Sequence, residues 1–311
     1  MISIIRYTPA DKSAWDSFVA VSTNATFLHY RDYMDYHSDR FHDFSLLAYD
    51  GGRLVALLPA NSRDGVLYSH QGLTFGGWLI AVKHFNANTM LSIFDSMRSF
   101  LADNGIKRVV YKAIPHIYHK YPAEEDLYAL FRNGARIVVT NMSSTVQLGG
   151  NIPFNRRSRR VVEKASACGV KVVPSTDYGA FWKMLSTHLK EKYGASPVHT
   201  LEEIELLHSR FPDNIKLYMA YQGDIAVAGG VVYDCGDVVH FQYSAVTELG
   251  EQICGLGYLY KYLIDTYGDR RYFDFGTSNE RNGEYLNSNL IETKSGFGGR
   301  GIAYNIYEFD I

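Results

Sequence analysis

The string Gln252-Ile253-Cys254-Gly255-Leu256-Gly257 holds the residues whose spacing points most directly to chemistry. It follows a run of β-forming residues and opens an amphipathic segment, so small residues gather where a helix begins. First-turn amides have no partner inside their own helix, and the positive end of the helix dipole lies there. Such a start favours an anion even without Lys or Arg, and small side chains let the main chain approach a pyrophosphate. The plainer alternative is a Gly-rich turn that merely starts a helix. A second concentration is Asn155-Arg156-Arg157-Ser158-Arg159-Arg160. Its cations, Arg156 and Arg160 among them, suit the phosphate of a nucleotide-linked sugar, a lipid-linked precursor or tRNA, the alternative being a solvated helix face. In the first half, residues 68–78 are dense in glycine and polar groups and read as a loop. There Ser69, His70 and Gln71 offer hydrogen bonds to hydroxyls, joined by Lys112 and His116 at a strand end, with ordinary caps as the alternative. His116 and His119 are too few for a metal site, so no metal is expected.

The elements that position these residues follow from periodicity and turn signals. Ile2–Arg6 reads as a strand, and a helix follows with Trp15, Phe18 and Val19 on one face. Residues 44–49 and 54–58 flank Asp50-Gly51-Gly52 and should pair as a hairpin. More strand is expected at 66–70, then a helix carrying Ile93, Phe94, Met97, Phe100 and Leu101 up to Asn104-Gly105, and a strand at 106–112. A helix over 124–133 should face Leu127, Leu130 and Phe131 inward before a long strand at 135–148. The second half predicts helices at 154–167, 181–192 and 201–211, and strands at 215–221, 225–233 and 238–246. It ends with a helix at 256–267, a strand at 272–275, a short helix and a strand at 302–309. Meander, helix, strand, helix and strand thus occur twice. This order predicts an α/β fold with a mixed, mostly antiparallel sheet in each half and a parallel pair formed across the long helix by a right-handed crossover. The domains are expected at 1–150 and 151–311.

Composition limits the partners. The 311 residues carry 31 basic and 33 acidic side chains, a formal charge of -2, which gives no overall pull toward nucleic acid or anionic membrane. Cys168, Cys235 and Cys254 are odd in number and lack CxxC spacing, which suits a reduced cytoplasm better than a disulfide or metal framework. The first ten residues hold no apolar signal region, and no apolar run approaches the roughly 18 residues of a membrane span. A cytoplasmic protein without a membrane span is expected. The 24 Tyr and 17 Phe serve core packing in the main.

Residues 252–257 resemble the coenzyme A pyrophosphate loop of the GNAT acyltransferases: Gln or Arg, two residues, Gly, one residue, then Gly or Ala, between a strand and a helix. Nearly the whole chain looks like the tandem-GNAT group that holds the Fem-type peptidoglycan aminoacyltransferases and related acetyltransferases of envelope and polysaccharide pathways. The Arg-rich 155–160, Tyr272-Phe273-Asp274-Phe275-Gly276 and Lys294-Ser295-Gly296-Phe297-Gly298-Gly299 carry that likeness. The chain departs from Fem-type enzymes in having no long charged heptad arm, which argues against tRNA-dependent aminoacyl transfer. The resemblance implies two GNAT-like domains, the first on the acceptor side without a coenzyme loop and the second holding acetyl-CoA. The implied reaction is N-acetylation of an amine, or acylation of a hydroxyl, on an envelope sugar or peptidoglycan precursor. Aminoacyl-tRNA as donor, or a non-catalytic binding role, are the alternatives.

Within the resemblance, Gln252, Ile253, Cys254, Gly255, Leu256 and Gly257 would take the pyrophosphate. The main chain around Tyr243, Ala245 and Val246, facing 275–278, would hold the pantetheine arm and the carbonyl. Asn287 is a candidate for the pantetheine amide, and Tyr285, read as lying on a helix, for protonating the thiolate. His240, and Glu280 or Glu284, are candidate bases; packing or surface roles are the alternatives for each.

Overall fold

The chain folds as two units, the first Met1–Asn141 with Ala303–Ile311 and the second Met142–Ile302. The computed structural model describes residues 1–150 and 152–311. The expected division at 150/151 therefore differs from the units in giving residues 142–150 to the first half and 303–311 to the second, and Asn151 itself lies outside the described residues.

In the first unit β1 (Ile2–Arg6) leads to α1 (Lys12–Val21), which buries Trp15, Phe18 and Val19, and to the short α2 (Arg31–Met34). β2 (Leu46–Asp50) and β3 (Arg53–Leu58) form the expected hairpin, with Gly51 and Gly52 at φ 57° and 83°, a region where a Cβ is strained. β4 (Asn61–Arg63) and β5 (Val66–Tyr68) make a second hairpin, and β6 (Leu79–Ile80) joins β3. The side chain of Asn86 accepts from the amides of Asn88 and Thr89 and so caps α3 (Ala87–Asp103), which buries Met90, Ile93, Phe94, Met97 and Leu101. At about 1.5–3 kcal/mol for each large apolar side chain, that stripe outweighs the helix's own propensity. β7 (Arg108–Lys112) then lies parallel to β5 across the α3 crossover. α4 (Glu125–Arg132) buries Asp126, Ala129 and Leu130, and Leu127, half-buried, packs against the same core. Phe131, expected inward, is 75% exposed, because it lies a further 100° around the helix from Leu130.

β8 (Arg136–Gln147) carries the chain into the second unit. There Asn155 caps α5 (Arg156–Ala167), and β9 (Val170–Ser175) is an edge strand that the sequence reading missed. Its Pro174 argues against a strand by composition, yet an edge tolerates the missing donor. α6 (Tyr178–Tyr193) and α7 (Leu201–Arg210) precede the meander of β10 (Ile215–Gln222), β11 (Ile225–Asp234) and β12 (Val238–Val246). α8 (Glu248–Gln252), α9 (Gly255–Thr266) and β13 (Tyr272–Thr277) follow. A small hairpin of β14 (Asn279–Glu280) and β15 (Tyr285–Leu286), then α10 (Ser288–Gly296) and β16 (Arg300–Asp310), complete the chain, β16 pairing antiparallel with β7. The second unit's strands run in the order β8-β13-β12-β11-β10-β9. Among the described residues of the second unit, β12 and β13 form the parallel pair, across α9, as the crossover argument expects. Val227, Phe241, Leu259, Leu263 and Phe273 form the centre of its core.

Candidate active site

The parallel pair is short by design of its register. β12 and β13 match Val238 with Tyr272, Val239 with Phe273 and His240 with Asp274, and no further. β12 nevertheless stays on β11 as far as Val246, and a register slip leaves Gln242 as an extra residue between Phe241 and Tyr243. A bulge of this kind bends and twists its strand. The two parallel strands consequently part beyond His240.

The two faces of β12 differ. Phe241 packs on Tyr260 of α9, with ring centroids 5.5 Å apart, while Tyr243 packs on Trp182 of α6 at 5.3 Å. Ser244 and Val246 line a cleft of roughly 1080 Å³, together with Cys254, Leu256 and Gly257 at the start of α9 and Asn289 of α10. This is the large end of the range for small-molecule sites.

The cleft's α9 end is built by close packing. A Cβ on Gly250 of α8 would lie 1.9 Å from the carbonyl oxygen of Val227, so this helical turn can sit on β11 only as glycine. Gly250→Ala is expected to cost about 3 kcal/mol or more, read as a fall in the thermal midpoint; an unchanged midpoint would contradict the contact. Gln252 ends α8 rather than opening a helix, and Ile253 is buried. Cys254 adopts the left-handed conformation, φ 64°, at the N-cap of α9 without a side-chain cap. The amides of Gly255, Leu256 and Gly257 have no main-chain acceptor among the described residues. Gly255 lies against Val227, and a Cβ on Gly257 would come within 2.2 Å of Val161 Cγ1 of α5. Gly257 is thus small in order to pack α9 on α5, and the amides of Leu256 and Gly257, which line the cleft, are the ones a ligand can use.

At the point of parting lies a buried polar cluster. Asp274 is fully buried; one carboxylate oxygen faces His240 Nδ1 at 2.9 Å, and the other accepts from Thr145 Oγ1 at 3.0 Å, the Gly276 amide at 3.1 Å and the Ser143 hydroxyl. A carboxylate only accepts, so the His240 proton sits on Nδ1 and Nε2 is the basic nitrogen. Beside it, Lys294 Nζ donates to the carbonyls of Gly276 and Thr277 at 2.8 and 2.9 Å, fixing the end of β13 where it leaves β12; burial lowers its pKa to about 8. His240 alternates with Phe241 and therefore occupies the α6 face of β12, opposite Ser244 and Val246 of the cleft.

The structure groups some of the sequence candidates and separates others. Cys254, Leu256, Gly257, Val246 and Asn287 line the cleft; Gln252, Ile253, Gly255, Tyr243 and Ala245 do not. Tyr243 is buried with its hydroxyl against His199 Nδ1, and Ala245 is fully buried. Asn287 also caps α10 by accepting from the Leu290 amide. Tyr285, expected on a helix, lies instead in β15, 49% exposed beneath the Arg281 guanidinium, because helix formation waits for the Asn287 cap. Glu284 is exposed in the turn of that hairpin. In the first unit Ser69 and His70 are buried. Ser69 Oγ accepts from the Lys112 amide, Gln71 is tied to Asn61, and His70 stacks on His37. Lys112 Nζ donates to the carbonyls of His70, Gln71 and Leu73, and burial lowers its pKa to about 8. The polar groups of this loop therefore hold the loop itself. Arg156 and Arg160 are exposed on α5 and border a shallower depression next to the cleft. Asp274 and Lys294 are the residues that sequence reasoning did not assign. A lone acid between two aromatic residues on a core strand was the available signal for the first.

Residues 155–285 match the family model described as an acetyltransferase (GNAT) domain, which places a domain of that class in the second unit. No curated relative matches the sequence. Among solved structures the chain is similar to FemX, with a TM-score of 0.71 at 12% identity over 99% of this chain and 97% of that one. It is similar also to L-PGS from Bacillus licheniformis, with a TM-score of 0.62 at 12% identity over 97% and 91% of the two chains. A tandem GNAT protein from the clavulanic acid biosynthesis pathway gives 0.54 at 12% identity over 100% and 98%. The chain has the mixed α/β fold of the tandem GNAT acyltransferases. Among the described residues, no helix is long and apolar enough to cross a membrane, and no group of three or more His, Cys, Asp or Glu side chains could hold a metal ion.

Proposed function

We propose that the protein is an acyltransferase that takes an acetyl group from acetyl-CoA and delivers it to an amine, or a hydroxyl, of an envelope sugar or peptidoglycan precursor, in the cytoplasm. One observation carries the reading: a cleft of roughly 1080 Å³ begins at the first-turn amides of Leu256 and Gly257 in α9, which have no main-chain acceptor among the described residues, and reaches the stretch of β12 that has parted from β13. The helix start suits the coenzyme pyrophosphate, and the edge of β12 from Ser244 to Val246, beyond its pairing with β13, suits the amides of the pantetheine arm. The coenzyme, when bound, supplies a thioester carbonyl open to attack. On the other face of β12, His240 Nε2 accepts the proton of the attacking amine or hydroxyl, the acetyl C–S bond breaks, and the coenzyme leaves as a thiolate that takes up a proton as the imidazolium returns to neutral; Asp274 holds the ring in its tautomer and stabilises the imidazolium in the meantime. The buried surroundings strengthen that pairing, since water does not screen it.

Cys254 tests the seat of the pyrophosphate, because its side chain lines the cleft at the start of α9 and both Asp and Asn tolerate its left-handed conformation. Cys254→Asp is expected to weaken acetyl-CoA binding by about tenfold or more in calorimetric titration, by charge repulsion alone, and the neutral Cys254→Asn by less than about threefold. Equal affinities in the two variants would remove the anion from this position.

A further inference from the structure

α5 carries cations that no acid answers among the described residues. Arg156, Arg157, Arg160 and Lys164 border a depression of roughly 420 Å³, and none of them forms an ion pair among the described residues. The arrangement works against the helix in two ways. Cations at a helix start oppose the dipole, and Arg156, Arg160 and Lys164, four residues apart, repel along one stripe. An anion bound there would relieve both costs. The depression adjoins the cleft: Arg157, Val161 and Cys254 border the two together. The shelf therefore lies beside the α9 amides, whereas His240, and with it the attacking acceptor, is on the opposite face of β12.

We infer that this shelf seats the 3′-phosphate of the coenzyme and makes the protein selective for coenzyme A over 3′-dephospho-coenzyme A. The inference rests on the coenzyme reading of the cleft and extends it to a second anion position. In coenzyme A the 3′-phosphate hangs from the ribose next to the pyrophosphate, so a pyrophosphate on the α9 amides brings it to the neighbouring surface. A phosphomonoester carries close to two charges at neutral pH and offers three acceptor oxygens, which suits forked guanidinium donors. Arg156 and Arg160 then belong to the donor coenzyme rather than to a phosphate-bearing acceptor.

Calorimetric titration of coenzyme A and 3′-dephospho-coenzyme A into the wild type and an Arg156→Gln/Arg160→Gln variant tests this. The wild type should bind coenzyme A about tenfold more tightly than the dephospho form. The variant, with its thermal midpoint retained, should bind both with the affinity the wild type has for the dephospho form. Binding of the two ligands with equal affinity by the wild type would overturn the shelf and leave the cleft assignment standing. Binding of neither by folded wild type would overturn both. A variant that keeps its preference for coenzyme A but loses affinity for bulk tRNA would overturn the inference in favour of a polynucleotide surface.

Discussion

Asp274→Asn is expected to lower the turnover number by roughly 10²–10³ while acetyl-CoA affinity stays within about threefold of wild type. The oxygen of Asp274 that accepts from Thr145, Ser143 and the Gly276 amide can be kept as the Asn carbonyl oxygen, so the strand ends stay in place. The amide nitrogen then faces His240 Nδ1 and donates to it. The ring proton must move to Nε2, the nitrogen that the reaction needs unprotonated, and the base is lost without loss of the fold. Release of the coenzyme thiol, followed with amino sugars and peptidoglycan-precursor amines as acceptors, reads the effect. Wild-type turnover in the variant would make the pair a packing feature only.

Acid should destabilise the first unit before its carboxylates are all protonated. Burial lowers the pKa of His29 to about 4 and that of His119 to about 4, and burial with the nearby His37 and Lys112 lowers that of His70 well below the usual value. Each depressed group contributes stability that is present in full above its unfolded value near 6.5 and is lost as pH falls through the folded value near 4. For His29 and His119 this is roughly 3 kcal/mol each. Asp126 acts in the other sense. Burial raises its pKa to about 6, so ionisation is costly at neutral pH, and the cost is relieved on protonation below 6, offsetting about one histidine. The net loss, about 3 kcal/mol with His70 in addition, is large against a total of roughly 5–15 kcal/mol. The thermal midpoint should fall by about 10 °C between pH 7 and 4.5. A flat midpoint across that window would mean that these rings are charged or solvated in the folded state.

The pattern of elements was readable where one local signal dominated. The stripe of α3, the Gly51-Gly52 hairpin and the parallel pair across α9 follow from apolar spacing and turn residues alone. Long-range packing was not readable. Gly257 looked like room for a ligand, but its size is set by Val161, a residue distant in sequence. Phe131 looked inward because its helix was judged by hydrophobicity rather than by the face that meets the core. His240 stood out by type, whereas its partner Asp274 lies 34 residues away and becomes visible only through the register of β12 and β13. Tyr285 was placed by analogy on a helix that starts three residues later.

The central claim is that the first turn of α9 takes the coenzyme's pyrophosphate, and amide-resolved ¹H–¹⁵N spectra test it most directly. On adding acetyl-CoA to the wild type, the amide protons of Leu256 and Gly257, which line the cleft, should move downfield and saturate together, because each gains a charged acceptor where no main-chain acceptor is present among the described residues. Saturating acetyl-CoA that leaves these two amides unmoved would contradict the account.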